Sequence, residues 1–196
     1  MTTNESITTS TRKNAVIVGI LFLFGFAGAI TLAITKPILD DSDILNKISA
    51  NENQIILGAF FQFVMAAACA GIGVALYPIL KKYYAGLAMG VVASRVIESV
   101  LQIVAFIILL LLVTLSNDFV KAGAPASSFF QTAGSLLKSG NFWFNQMAAI
   151  LAWCIGALMY YYVFYQSGEY GLRAMIILAH AYKESPDAMV QIKEIS

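Results

Sequence analysis

Arg95 and Glu98 are the residues whose type and place in this sequence could carry chemistry, because both fall inside an otherwise apolar run, Ala85 to Leu115. Ser94 precedes them and Gln102 follows Glu98 by four positions. At about 100° per helical residue, Ser94 lies about 40° to one side of Glu98, and Gln102 and Arg95 lie about 40° and 60° to the other. One helical face thus gathers all four. A charge at mid-membrane costs about 2.5–3.5 kcal/mol on insertion scales unless it is paired or hydrated, so this face must point at other helices or a cavity. Two readings follow. In the first, Arg95 and Glu98, three apart on a helix, pair with each other, and Gln62 from the preceding apolar run joins Gln102 in a polar clasp that orients helices. In the second, Glu98 carries protons or cations and Arg95 sets its protonation, so that the face lines a transport path.

Other chemistry finds little support in the residue pattern. Cys69 and Cys154 lie in apolar runs without CxxC spacing or a neighbouring histidine, as inert buried thiols do. His180, the single histidine, has no partner at metal spacing, and Asp40, Asp41 and Asp43 lack the Gly and Glu of an EF-hand loop. No metal or cofactor site is expected. GxSxG, HExxH, GxGxxG and Walker A patterns are missing, so enzyme activity has no positive support.

The composition says what must position the polar face. Of 196 residues, 59% are apolar and 12% charged, against about 45–50% and about 25% in a typical soluble domain. A net charge of +1 provides no basic stripe for nucleic acid. The class is a small multi-pass membrane protein. Four runs reach the roughly 20 residues that cross a bilayer: Ala15 to Thr35, Ile55 to Leu80, Ala85 to Leu115 and Phe142 to Tyr165. Arg12, Lys13, Lys36, Pro37, Lys81, Lys82, Asn117 and Asp118 mark their ends. The first run exceeds the roughly 7–15 residues of a secretory signal core and no small-residue cleavage site follows it, so it reads as a retained span.

Basic residues orient the spans. Arg12, Lys13, Lys81, Lys82, Arg173, Lys183 and Lys193 fall on one side, and Lys36, Lys47, Lys121 and Lys138 on the other, which predicts both termini in the cytoplasm. Residues 1–14 then form a cytoplasmic segment, 15–165 the four-span domain and 166–196 a cytoplasmic tail. Ile44, Leu45 and Ile48 predict a short surface helix before the second span. Phe129, Phe130, Ala133, Leu136 and Leu137 predict an amphipathic helix on the outer interface, with Gly140 as its stop. In the tail, Ser185 and Pro186 resemble the N-cap and first residue of a final helix toward Glu194. Gly86, Gly90 and Ser94, spaced by four, with Ala66, Ala67, Ala70, Gly71 and Gly73 of the second span as their counterpart, predict close packing of the second and third spans. The bilayer is the expected surrounding, and a second copy or another membrane subunit is the kind of protein partner such a bundle can take.

Ser49 to Leu57 (SANENQIIL), Ala75 to Lys82 (ALYPILKK) with Gly86 to Ala88, Arg95 to Glu98 (RVIE), Leu115 to Pro125 (LSNDFVKAGAP) and Gly156 to Tyr162 (GALMYYY) follow one another in an ordered set. Through most of residues 11 to 167 the chain resembles the family known as domain of unknown function 4386, prokaryotic multi-pass membrane proteins without an assigned activity. The resemblance implies a plasma-membrane protein and transfers no catalytic residue. Family members continue after the fourth-span tyrosines with a basic turn and further hydrophobic helices, where this chain has Gly168, Glu169 and a polar tail. That departure implies a shortened or frameshifted form or a natural short variant. The capping pair at Ser185 and Pro186 speaks for a selected tail. The expected fold is an all-α polytopic bundle of four transmembrane helices with short interfacial helices.

Overall fold

Each apolar run becomes helix, since in lipid a chain must satisfy its own backbone hydrogen bonds. The computed structural model describes the backbone of residues 3–124 and 128–184, and the side chains of residues 13–124 and 129–168. In chain order the helices are α1 (Thr3–Gly25), α2 (Ala27–Leu39), α3 (Ile44–Ala50), α4 (Glu52–Leu80), α5 (Ala85–Lys121), α6 (Ser128–Phe142) and α7 (Ala149–Glu184). A π-helical turn, Trp143–Ala148, joins α6 to α7. No strand occurs among the described residues. Four helical stretches, Lys13–Leu39, Glu52–Leu80, Ala85–Lys121 and Phe129–Gly168, are long and apolar enough to cross a membrane. Large apolar side chains such as Leu23, Leu151 and Leu158 stand exposed on them, as lipid-facing positions do. The chain is therefore a membrane-embedded, all-α polytopic bundle.

The antiparallel pair α4 and α5 forms its centre; α1 and α2 lie against α4, and α7 against α5. Two apolar clusters fill the ends of the bundle. One joins Ile38, Leu45, Ile48, Ile55, Leu112 and Phe119 at the end that carries α3 and α6. The other joins Ile72, Leu76, Leu80, Val91, Tyr160 and Val163 at the opposite end. Between them α4 contributes Gln62 and Cys69, and α5 contributes Arg95, Glu98, Ser99 and Gln102, all buried. A polar layer is thus enclosed between two dry ones.

Several boundaries differ from the sequence reading, each for a local reason. The first span is broken after Gly25, where Phe26 N–H donates to Leu23 O and Ala29 N–H to Phe26 O, both tight three-residue steps. The third helix passes through Asn117 and Asp118 to Lys121. Ser116 Oγ donates to Leu45 O, Ser49 Oγ donates to Asn117 Oδ1 at 3.2 Å and Asn117 Nδ2 donates to Glu52 Oε2 at 3.1 Å. Polar residues that would stop a lipid-facing helix here tie it to α3 and α4. Gly123, with φ +81°, closes it as Ala124 N–H returns to Phe119 O.

The short helix expected at Ile44 to Ile48 is α3. Before it, Asp43 N–H donates to Asp41, and this bond, with Lys47 at 3.4 Å, holds the Asp41 carboxyl below its ordinary range. Gly140 does not stop α6, which runs through it into the π turn and the fourth span. Phe130 packs on Phe119, and Asn141 Nδ2 donates to Ala105 O at 2.9 Å. One side of α6 is therefore pinned to α5, while Phe129 and Leu136 point outward. Likewise α7 does not end at Tyr165 but continues to Glu184. The capping pair Ser185 and Pro186, and Glu194, lie outside the described residues.

Candidate functional site

Glu98 sits on α5 between the two apolar clusters, and its partners come from its own helix and from α4. Arg95 Nη1 donates to Glu98 Oε2 at 2.9 Å, with side-chain exposures of only 2% and 6%. Gln102 Nε2 and Cys69 Sγ each donate to Glu98 Oε1 at 3.3 Å. Ser99 Oγ donates to Ala66 O at 2.8 Å, a second bond across the α4 and α5 contact. The guanidinium of Arg95 also lies 5.9 Å from the ring centres of Phe22 on α1 and Tyr160 on α7, where the ring faces stabilise a cation.

This arrangement borders a cavity of about 370 Å³ between the broken first span, the α4 and α5 pair and the start of α7. Its polar lining is Gln62, Arg95, Glu98, Gln102, Asn145 and Gln146; Phe22, Phe26, Ile150 and Trp153 are among its apolar walls. Gln62 is 1% exposed and donates from Nε2 to Asn145 Oδ1 at 3.2 Å. Four buried atoms, Gln62 Oε1, Arg95 Nε, Arg95 Nη2 and Gln102 Oε1, have no hydrogen-bond partner among the described residues. The residues that carry these atoms all line the cavity, so two unpaired donors and two unpaired acceptors stand next to it, beside a charge-neutral pair.

The structure brings Arg95, Glu98 and Gln102 together, and sets Gln62 on the same cavity without a bond to the pair. Ser94 separates from them. Its hydroxyl donates to Val91 O at 2.9 Å, and it lies against Gly156 of α7, whose missing side chain admits the close approach. The expected close packing of the second and third spans is present, but only some of the small residues serve it. Gly86 faces open space and Ala67 is exposed. Gly90 meets Met159 of α7, and Gly71 meets Leu21 of α1. The close approach of α4 to α5 is made at Gly73, where an added Cβ would stand 2.9 Å from Arg95 Cβ and 3.4 Å from Val92 Cα. That contact supports the backbone on which Arg95 is mounted.

Three members of the site escape a reading of single spans. Cys69 follows Gln62 by seven residues, two helical turns on one face, which is the signal that links it to the layer. Asn145 and Gln146 are adjacent amides near the start of the fourth apolar run. They sit on the π turn, where Ala149 N–H bonds Phe144 O, five residues back. Such turns add a residue to the helix and occur often at functional positions. No three His, Cys, Asp or Glu side chains gather as a metal site among the described residues. No curated protein matches the chain, and no solved structure does. The family model described as a domain of unknown function (DUF4386) matches residues 17–170. Spanning most of the chain and the whole polar layer, that match makes this protein a member of the DUF4386 family.

Proposed function

We propose that this protein is a small membrane transporter or channel subunit whose working site is the cavity floored by Arg95, Glu98 and Gln102. The observation that carries the reading is the set of four buried polar atoms beside one cavity without a partner among the described residues. A helix clasp gains nothing from them, since each unpaired buried group costs about 1–3 kcal/mol. Costly polar groups kept at membrane depth are the usual mark of a solute or proton path. Glu98 is the carrier in this reading. On protonation it releases the Arg95 charge to the faces of Phe22 and Tyr160. The protein resides in the plasma membrane of a prokaryotic cell with both termini cytoplasmic, as the distribution of Lys and Arg supports.

Reconstituted vesicles with a trapped pH-sensitive dye test the carrier. The wild type should collapse an imposed pH gradient faster than protein-free vesicles, and Glu98→Gln, inserted at equal density, should fall to the protein-free rate. Unchanged flux in Glu98→Gln, or a wild type no faster than empty vesicles, overturns proton carriage. A second reading, a structural or regulatory component held by a polar clasp, is favoured by the bonds from Cys69 to Glu98 and from Ser99 to Ala66 O, which cross from one central helix to the other.

A further inference from the structure

A second cavity, of about 410 Å³, adjoins the first. Thr31, Thr35, Lys36, Asp40, Lys138 and Asn141 supply its polar lining, so it belongs to the end of the bundle that carries α3 and α6. Asp40 and Lys138 pair at 3.4 Å on its rim and are 57% and 40% exposed, which opens this cavity to water. Leu32, Asn145 and Gln146 line both cavities and form their common wall. Along α5, Leu109 borders this second cavity and Glu98 the first. The eleven helical steps from Glu98 to Leu109 cover about 16 Å, roughly half of a ~30 Å hydrocarbon layer. The first cavity also opens sideways past Phe26, Ile150 and Trp153, exposed apolar residues of the kind that face lipid, so the second cavity is its way to water and to the polar rim.

The wall between them is made of side chains able to move without unfolding a helix. Among the described residues the Asn145 side chain has one hydrogen bond, from Gln62, and Asn145 and Gln146 share a π turn, an interruption of the regular helix of the kind that recurs at functional sites. The chemistry along the way also selects. Charges are closed in pairs, Asp40 with Lys138 and Arg95 with Glu98, and Lys36 stands at the exposed rim. Lys36 leaves one positive charge at the mouth; inward from it the unpaired polar lining is amides and hydroxyls, from Thr31 and Asn141 to Gln62, and there a solute rich in donors and acceptors fits better than a charged one.

We propose that the second cavity is an entry site for a small, uncharged, hydrogen-bonding solute, and that Asn145 and Gln146 are the selecting residues through which it passes to Gln62, Arg95 and Gln102. This rests on the reading of the Arg95 and Glu98 cavity as a solute site, and it adds the route, the ligand class and the residues that discriminate.

A native reporter lies at the far end of the route. Cys69 lines the first cavity and is one of only two cysteines, so Cys154→Ser leaves it as the sole thiol. The full-length protein in vesicles is treated with iodoacetamide, itself a small uncharged amide, and in parallel with a charged thiosulfonate and a lipid-soluble maleimide. Iodoacetamide should modify Cys69 faster than the charged reagent. Removing the bond from Gln62 by Asn145→Ala should speed the reaction about tenfold, the kinetic equivalent of one hydrogen bond. Leu32→Trp, which fills the common wall from a half-exposed position, should slow iodoacetamide and leave the maleimide rate unchanged. Full labelling after denaturation and a single size-exclusion peak verify each variant, and Leu32→Trp decides alone if Asn145→Ala fails to fold. Labelling is run at alkaline pH, since Cys69 donates its S–H to Glu98 and reacts only as the thiolate; equal rates in all variants, no labelling of any folded variant under these conditions, or slowing of the maleimide alone overturns the proposal. Gated labelling together with unchanged proton flux in Glu98→Gln would remove the carrier and leave the entry route standing.

Discussion

Arg95 is the most demanding single residue of the fold, since its side chain is 2% exposed and only one of its three guanidinium nitrogens meets a carboxylate. Removing Glu98 leaves that charge buried and unpaired, which costs about 3–5 kcal/mol, whereas replacing both members of a buried pair by apolar residues is often neutral or stabilising by about 1–4 kcal/mol. Glu98→Gln should therefore lower the thermal midpoint in detergent. The double variant Arg95→Leu with Glu98→Leu should recover the wild-type midpoint or pass it while transport stays lost, because the pair is then retained for its chemistry. A double variant as unstable as the single one would mean that the pair exists to hold helices, and the clasp reading would stand. The pairing itself was legible, since two charges three residues apart on one apolar helix have few other partners. Cys69 and Asn145 were not, because their membership depends on which faces of α4 and the fourth span turn inward. Ser94 misled, as its angular position fits the face but Gly156 draws it to α7.

Among the elements, α4 and α5 determine where the site stands, and the contact that brings them together is narrow. A methyl group at Gly73 would meet Arg95 Cβ at 2.9 Å, while at Gly86 it would meet open space. The same substitution should therefore separate the two positions. Gly73→Ala should destabilise by about 1–3 kcal/mol, as overpacking does, and it should reduce transport by shifting Arg95. Gly86→Ala should be neutral or stabilise by about 0.5–1 kcal/mol, the helix preference of alanine over glycine. Thermal unfolding of both variants checks this, and equal effects would mean that the α4 and α5 interface is not where Gly73 puts it. The sequence pattern of small residues found the right two spans and held Gly73 among its candidates, but it could not single Gly73 out, because spacing by four recurs on every apolar helix, while the inward face depends on the whole bundle. The apolar runs were a better guide, since four of them match the four spans of the structure. Their ends were less legible. Asn117, Asp118 and Gly140 read as stops, but hydrogen bonds to α3 and α4 and packing of α6 on α5 carry the helices through them.

For the molecule as a whole, the two ends of the bundle are built differently, and the difference gives the proposed path a direction. One end has α3, α6 and the exposed rim of Asp40 and Lys138; the other closes over the apolar cluster of Leu76, Leu80 and Val163, beneath the short connection that holds Lys81 and Lys82. Two lysines in so short a connection resist translocation, whereas lysines spread over α3 and α6 do not, so the closed end should face the cytoplasm and the entry cavity the outside. A solute would then enter from the exterior and reach Glu98 at mid-depth, with the apolar cluster as the inner barrier. Single cysteines at exposed positions check the orientation: Thr132→Cys on α6 and Tyr83→Cys beside the lysines. In intact cells a membrane-impermeant maleimide should label Thr132→Cys and spare Tyr83→Cys until the cells are opened. The reverse pattern would place the entry cavity in the cytoplasm and turn the proposed uptake path into an export path, with the same residues acting in the opposite order.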